Sequence, residues 1–298
     1  MSEIDLNVVT KRFILGCWRL SEWSYSTQDL NKYIQQVIEL GINSFDHADI
    51  YGDYSCEELF GNALKLTPSL RQTIKLTSKC GIKLQSSKFP QHTQHIYDTS
   101  FQHIIRAAER SLANLQTDYL DLLLIHRPDP LMDAAEIALA FNQLKKAGKV
   151  LNFGVSNFTP EQFELLQSYL DYPLQTNQIE ASVLCHENFL NGNFDHLQMK
   201  RIIPQIWSPL AGGRIFTNTN ELSSQRVQAD LIKLARHYSV TPDLIALAWL
   251  LKLPSQPQII LGSGKLNRVI HAIQSININL SRDDWFELWV SFFGHDIA

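Results

Sequence analysis

A closed (β/α)8 barrel, with its active site at the C-terminal strand ends, is the fold this sequence predicts, on three observations. Short apolar runs alternate with longer helical patterns eight times along the chain. The 298 residues carry no composition break and no low-complexity linker, so the eight units read as one domain over residues 1–298. No GxGxxG follows the first strand, where an open doubly wound sheet would normally show one.

The first run, "FILGCW" from Phe13, precedes "TQDLNKYIQQVIELG", in which Leu30, Ile34, Val37 and Ile38 share a helical face and Gly41 is the stop. "INSFDHA" is the second strand and "SCEELFGNALK" its helix. "TIKLTSK" leads through a long polar stretch to "TSFQHIIRAAERSLANL". "LDLLLIH" precedes "AAEIALAFNQLKKAGK". "LNFGVSN" precedes "TPEQFELLQSYL", which opens with a threonine cap and a proline at the first position. "LQTNQIEAS" precedes a loop-rich piece with the short helix "FDHLQMKRI". "PQIWSPL" precedes two helical patterns between Ser223 and Leu253. "PQIILGSG" is the eighth strand, followed by helices from Leu266 and Arg282. The nearly unbroken apolar runs "LDLLLI" and "PQIIL" suit parallel strands buried on both faces.

Composition excludes several classes. Hydrophobic residues make up 45% and charged residues 19%, enough for a large core, and the formal charge of −4 comes without a like-charged run. That balance offers no footprint for nucleic acid or an anionic membrane. "MSEIDLNVVTKRF" is too polar for a secretory leader, and the longest apolar run, "LIALAWLLKL", reads as a buried helix. Cys17, Cys56, Cys80 and Cys185 form no CxxC and read as reduced thiols of a cytoplasmic protein. No self-complementary surface is legible, which leaves a monomer as the default.

Polar residues collect where a barrel keeps its active site. Asp46 and His47 end the second strand, with Tyr51 in the loop beyond. Lys79 ends the third strand, His126 the fourth, and Ser156 and Asn157 the fifth. Gln178 and Glu180 lie towards the end of the sixth, Trp207 and Ser208 at the end of the seventh, and Ser263 at the end of the eighth. Alternation along the strand turns Asp46 into the barrel and His47 toward the helices. An inward aspartate needs a partner, and Lys79 on the next strand is the natural one. Alone, such a pair is more often a structural ion pair than a catalytic one. Tyr51 changes that balance. A free phenol titrates near ~10, and a lysine cation stabilises tyrosinate and lowers that value. Asp46, Lys79 and Tyr51 together therefore make a general acid, with His126 placed to orient a carbonyl oxygen or relay a proton.

"FDHADIYG", "TSKCG", "LDLLLIHRPD", "FGVSNF", "NQIEAS", "IWSPLAGG" and "IILGSGKLNRV" occur in an order that resembles the aldo/keto reductase superfamily, in particular its bacterial oxidoreductases, from Phe45 to Val269. The resemblance implies an NADPH-dependent reductase of aldehydes or ketones. It makes Tyr51 the proton donor, Lys79 its modulator paired with Asp46, and His126 the residue that orients the carbonyl. It also places the cofactor on Gly16, Cys17, Trp18, Asp46, Ser156, Asn157, Gln178, Trp207, Ser208, Pro209, Leu210, Gly212, Gly213, Ser263, Gly264, Lys265 and Arg268, with no metal.

Those segments suit such a ligand physically. Trp207 offers an aromatic face for a nicotinamide ring. Ser156, Asn157 and Gln178 are suited to its carboxamide. The small residues of "SPLAGG" let backbone amides approach a pyrophosphate. Ser263, Lys265 and Arg268 at a helix start suit a 2′-phosphate, which favours NADPH over NADH. Solvated helix-start charge is the plainer reading of the two cations.

The chain departs from the family pattern at "VIHAI", where His271 and Ala272 stand in place of an adenine-contacting Glu-Asn. The long stretch after Lys79, above all Leu84 to Asp98, is expected to shape the substrate pocket with Trp18, Trp23 and the C-terminal tail. His92 and His95 read as loop residues and Cys80 as structural. Cys17, near the expected cofactor position, is oxidisable in principle, but nothing specific in the sequence supports it.

Two other functions stay open. One is a cofactor-binding redox sensor with slow turnover. The other is a Schiff-base aldolase using Lys79, which would need that lysine neutral.

Overall fold

The computed structural model describes residues 5–217 and 220–297. Met1 to Ile4, Asn218, Thr219 and Ala298 belong to the expected domain and lie outside the described residues.

Backbone pairing closes eight strands into a barrel. They are β1 Phe13–Gly16, β2 Ser44–Asp46, β3 Lys75–Cys80, β4 Leu120–Ile125, β5 Val150–Ser156, β6 Asn177–Glu180, β7 Gln205–Trp207 and β8 Gln258–Leu261. The closed, parallel order is the one the sequence predicts. Register aligns the functional ends: Asp46 of β2 lies beside Thr77 of β3, and Lys79 of β3 beside Leu124 of β4. Phe45, Leu76, Leu123, Leu124, Phe153 and Ile259 are fully buried, because strands between helices and the barrel interior have no solvent face.

The helices start and stop for local reasons. Ser26 caps Thr27–Glu39 by accepting from the Asp29 amide. Ser100 caps Phe101–Leu115, which ends where Gln116 turns left-handed. Thr159 caps Pro160–Gln167 in a reciprocal box whose partner is Gln162. The apolar "LIALAWLLKL" run is the buried helix Pro242–Leu251. Among the described residues no helix is long and apolar enough to cross a membrane.

Two elements escape the sequence patterns. A seven-residue helix, Leu6–Arg12, precedes β1. It is too short for a periodic signal and is anchored by Arg12, whose guanidinium donates to the carbonyls of Leu251 (2.8 Å) and Pro257 (3.2 Å). The long polar stretch after Lys79 also contains a small antiparallel pair, Ile82–Lys83 with Ile96–Tyr97, at the base of the 84–98 loop.

The chain divides into two compact units. One comprises Ile14–Gln178 with Gly262–Gly264; the other comprises Met1–Phe13, Ile179–Leu261 and Lys265–Ala298. The first holds Asp46, Tyr51, Lys79 and His126. The second holds an aromatic cluster in which Trp249 and Trp285 stack at 4.8 Å between ring centroids.

Candidate active site

Asp46 is the last residue of β2 and faces the barrel interior, as strand alternation requires. Lys79 lies one residue from the end of β3, with its side chain fully buried. All three ammonium protons are used: on Asp46 Oδ2 at 2.8 Å, on the His47 carbonyl at 2.8 Å, and on the Tyr51 hydroxyl at 3.0 Å. Burial alone lowers a lysine pKa; here Asp46 and Tyr51 outweigh it, and that of Lys79 is raised. A buried ammonium with three acceptors is a stable cation.

That geometry leaves Tyr51 its own proton. Lys79 donates to the Tyr51 oxygen, so the phenolic hydrogen is left for another acceptor. Burial pushes the Tyr51 pKa above its ordinary value, against the opposing pull of Lys79. This corrects the expectation of a net lowered pKa. The lysine does act in the expected direction, but desolvation is larger. Tyr51 is thus a firmly protonated donor whose conjugate base already has a cation 3.0 Å away.

His126 follows β4, with its amide on the Cys80 carbonyl at 2.8 Å. Its ring meets that of Tyr51 edge-on at 5.8 Å between centroids. Burial, then Lys79 and Arg127, hold its pKa well below the ordinary value. A neutral imidazole can donate an N–H to a carbonyl oxygen and is poorly suited to carry a proton. The buried Nδ1 has no hydrogen-bond partner. His47 points the other way, as alternation predicts: it packs on Phe60 at 4.5 Å, and burial lowers its pKa to about 3.

The polar residues of β5 and β6 join the same network. Gln178 Nε2 donates to the second Asp46 oxygen at 2.8 Å. Ser156 Oγ donates to the Gln178 carbonyl at 2.9 Å and accepts from Asn157 Nδ2 at 2.7 Å. Asn157 itself is left-handed, with φ 61°. Gln178 therefore has a job the sequence reading did not give it, as the brace of Asp46.

Other assignments sort differently. Cys17 is completely buried, and burial raises its thiol pKa well above the usual value, which counts against the oxidation reading and leaves mainly its backbone for a ligand. Cys80 is buried and raised in the same way. Gly16 ends β1, and Trp18 is exposed, with Arg19 at 5.0 Å from its ring centroid. Trp23, which is half-buried, packs on Gly264, where a Cβ would lie 2.4 Å from its ring. Tyr33 and Tyr25 each donate at 2.5 Å, to the carbonyls of Ser263 and Gly264. These three aromatics clasp the segment that follows β8.

In the second unit, Trp207 closes β7 and is half-buried; Pro209 and Leu210 follow Ser208, which is left-handed. Gly212 and Gly213 have φ of 66° and 96°, and a Cβ on either would meet nothing within 4 Å, so they present open backbone. Lys265 and Arg268 are exposed at the start of Leu266–Ile273. His271 is committed to its neighbours Thr241 (2.7 Å) and Asp243 (3.2 Å). By the chemistry of the donor set, the residues of this unit suit parts of a nucleotide: an indole for an aromatic ring, and two cations at a helix start for phosphate.

One buried group was missed altogether. Arg110 donates to Asp49 Oδ2 at 2.7 Å, and Glu57 accepts from Ser78 Oγ at 2.5 Å. Burial raises both carboxyl pKa values, that of Asp49 to about 8. The only trace in the sequence is a charged residue bordering the apolar face of a helix.

The family model described as the aldo/keto reductase family matches residues 12–289. An uncharacterized oxidoreductase of Bacillus subtilis, YcsN, is 48% identical over 96% of this chain and 95% of its own length. A 6-dehydroglucose reductase of Agrobacterium fabrum is 38% identical over 96% of each. The solved structure of a thermostable aldo-keto reductase, Tm1743, bound to the inhibitor epalrestat, superposes with a TM-score of 0.77 over 98% of this chain and 97% of that one; at 23% identity it speaks to the fold. The chain belongs to the aldo/keto reductase family, a family of oxidoreductases that act on small-molecule carbonyl compounds.

Proposed function

We propose that this chain reduces aldehydes or ketones to alcohols with NADPH as reductant and Tyr51 as proton donor. The observation that carries the reading is the buried Lys79 ammonium, which donates at once to Asp46, the His47 carbonyl and the Tyr51 hydroxyl.

Residues of the chain account for the steps that are theirs. His126, held neutral, donates an N–H to the substrate carbonyl oxygen and orients it. The Tyr51 hydroxyl, freed of any duty as donor to Lys79, gives its proton to the same oxygen. Lys79 stabilises the tyrosinate left behind, and Asp46, braced by Gln178, keeps the ammonium in place. Ser156, Asn157 and Gln178 would hold the carboxamide of the cofactor's nicotinamide. The bound reduced nicotinamide would supply the hydride. A Schiff base on Lys79 is disfavoured, because that reaction needs a neutral amine and this one is held as a cation.

The same reading takes residues 1–298 as one catalytic domain, monomeric and cytoplasmic, consistent with four free cysteines. A sedimenting mass of two chains would overturn the monomer. The principal test is Tyr51→Phe. It should lower carbonyl reduction at least about a hundredfold, the usual weight of a positioned acid, with NADPH binding retained. Wild-type-like turnover would sink the assignment. The substrate panel should hold simple aldehydes, diketones, quinones and 6-dehydroglucose, the last suggested by the similarity to its reductase. Each should be run with NADPH and NADH. Tight NADPH binding without single-turnover oxidation by any of them would favour a sensor.

A further inference from the structure

Tyr51 is followed by an unusual backbone. Gly52 (φ 58°, ψ 40°), Asp53 (φ 52°, ψ 55°) and Tyr54 (φ 61°) are consecutive left-handed residues. Glycine is required at position 52 on two counts, since a Cβ there would also lie 2.6 Å from Cys56 Sγ and 2.7 Å from Ser21 Oγ. Asp53 and Tyr54 have no such freedom, and side chains in this region are held there only when their surroundings over-determine them.

The surroundings of Tyr54 do so. It is almost fully buried, and its hydroxyl accepts from the Leu84 amide at 2.8 Å. Its ring packs on Phe89 at 4.5 Å between centroids. The Arg110 guanidinium lies 5.4 Å from the Tyr54 centroid and 4.9 Å from that of Phe89. The same guanidinium donates to Asp49 Oδ2 at 2.7 Å, and the Asp49 amide donates to the Lys79 carbonyl at 3.1 Å. Arg110 therefore holds the turn two residues before Tyr51, through Asp49, and three residues after it, through Tyr54. Phe89 belongs to the 84–98 loop and stacks on His92 at 5.0 Å; His92 Nδ1 in turn contacts the Leu84 carbonyl at 3.1 Å. All of these residues lie in one compact unit.

We propose that Arg110 is a positioning residue for Tyr51, and that through Tyr54 and Phe89 it makes the placement of the phenol depend on the seating of the 84–98 loop. The kinetic part rests on the reading of Tyr51 as proton donor; the mechanical part does not. A loop expected to select the substrate would then also set the acid that serves it, so the two properties cannot vary independently.

Two variants approach the clasp from opposite sides. Phe89→Ala alters a partly exposed loop residue and leaves the buried Asp49–Arg110 pair intact. Arg110→Met removes the guanidinium itself. Amide hydrogen exchange on the ligand-free protein should rise at least about tenfold across residues 50–56 in both. Exchange of that segment within twofold of wild type in Phe89→Ala overturns the coupling, whether or not Arg110→Met folds. With 4-nitrobenzaldehyde and NADPH, both variants should lose about tenfold or more in kcat, with the Kd for NADPH within twofold of wild type. The solvent isotope effect on kcat should grow, because a misplaced phenol makes proton transfer more limiting. An unchanged kcat and isotope effect, beside an inactive Tyr51→Phe, refutes the positioning role alone. An active Tyr51→Phe, or a wild type that does not reduce the aldehyde, refutes the reductase reading, and the exchange measurement still decides the clasp.

Discussion

Lys79 and His186 are both basic side chains buried almost completely, and the chain treats them in opposite ways. Lys79 is given three acceptors and stays charged. His186 is given none: both ring nitrogens lack a hydrogen-bond partner. It sits instead among aromatic rings, stacked on Phe292 at 4.2 Å and meeting Trp289 edge-on at 4.9 Å. Burial lowers its pKa to about 4, so the ring is neutral at ordinary pH and packs as an aromatic. A buried basic group is thus a poor marker of chemistry by itself. What marks Lys79 is that its partners include another titratable group, Tyr51, whose conjugate base it can stabilise.

The largest expected effect tests whether the Lys79 pair is chemical or only structural. Lys79→Met should abolish measurable turnover and also cost about 3–5 kcal/mol of stability, since it leaves Asp46 buried without its cation. The double variant Lys79→Met/Asp46→Asn should recover much of the stability and none of the turnover. If turnover returned together with the melting temperature, the pair would be structural and the contrast with His186 would collapse.

A smaller effect belongs to His186. Its folded pKa of about 4 lies below the ~6.5 of an unfolded histidine, so between these values the unfolded chain binds more protons. The corresponding stability is fully present above about pH 6.5 and is lost as pH falls through about 4, at most about 3 kcal/mol. His47, His103 and His126 are lowered too and contribute in the same direction. The measurement is therefore a difference: denaturant unfolding of wild type and of His186→Phe at pH 7 and pH 4.5. The variant should lose less stability between them. Parallel losses would mean that His186 finds a partner for its proton.

The smallest effect concerns the brace. Gln178→Leu removes one donor from Asp46 but leaves the Asp46–Lys79 contact, and should cost about 1–3 kcal/mol in unfolding experiments. Turnover should survive at a reduced level, unlike in Lys79→Met. Complete inactivation with NADPH binding retained would place Gln178 alongside Lys79 in the chemistry.

Much of this was legible before the structure. Eight strand-and-helix units could be read because each strand and helix carries its own period in a short window. Alternation placed Asp46 inward and His47 outward, and both lie as read. The Asp46–Lys79 pair followed because the second and third strands are neighbours. The Leu6–Arg12 helix was not legible, because seven residues hold too little pattern and its anchors, Leu251 and Pro257, are distant in sequence. The packing of Trp23 on Gly264 was illegible for the same reason, since the two lie far apart in sequence.

Residue type and spacing alone pointed to the repeating barrel units and drew attention to Asp46, Tyr51, Lys79 and His126 at the strand ends. What each touches there is set by the folded chain. Folding turned Gln178 onto Asp46, set Arg110 between Asp49 and Tyr54, and made Tyr51 a more reluctant acid than its lysine alone would. The physical reason is that residue type and periodicity are local, whereas desolvation and long-range pairing depend on everything that closes around a site. A phenol beside a lysine can be read from a motif; the net sign of its pKa shift depends on how much water the whole barrel excludes.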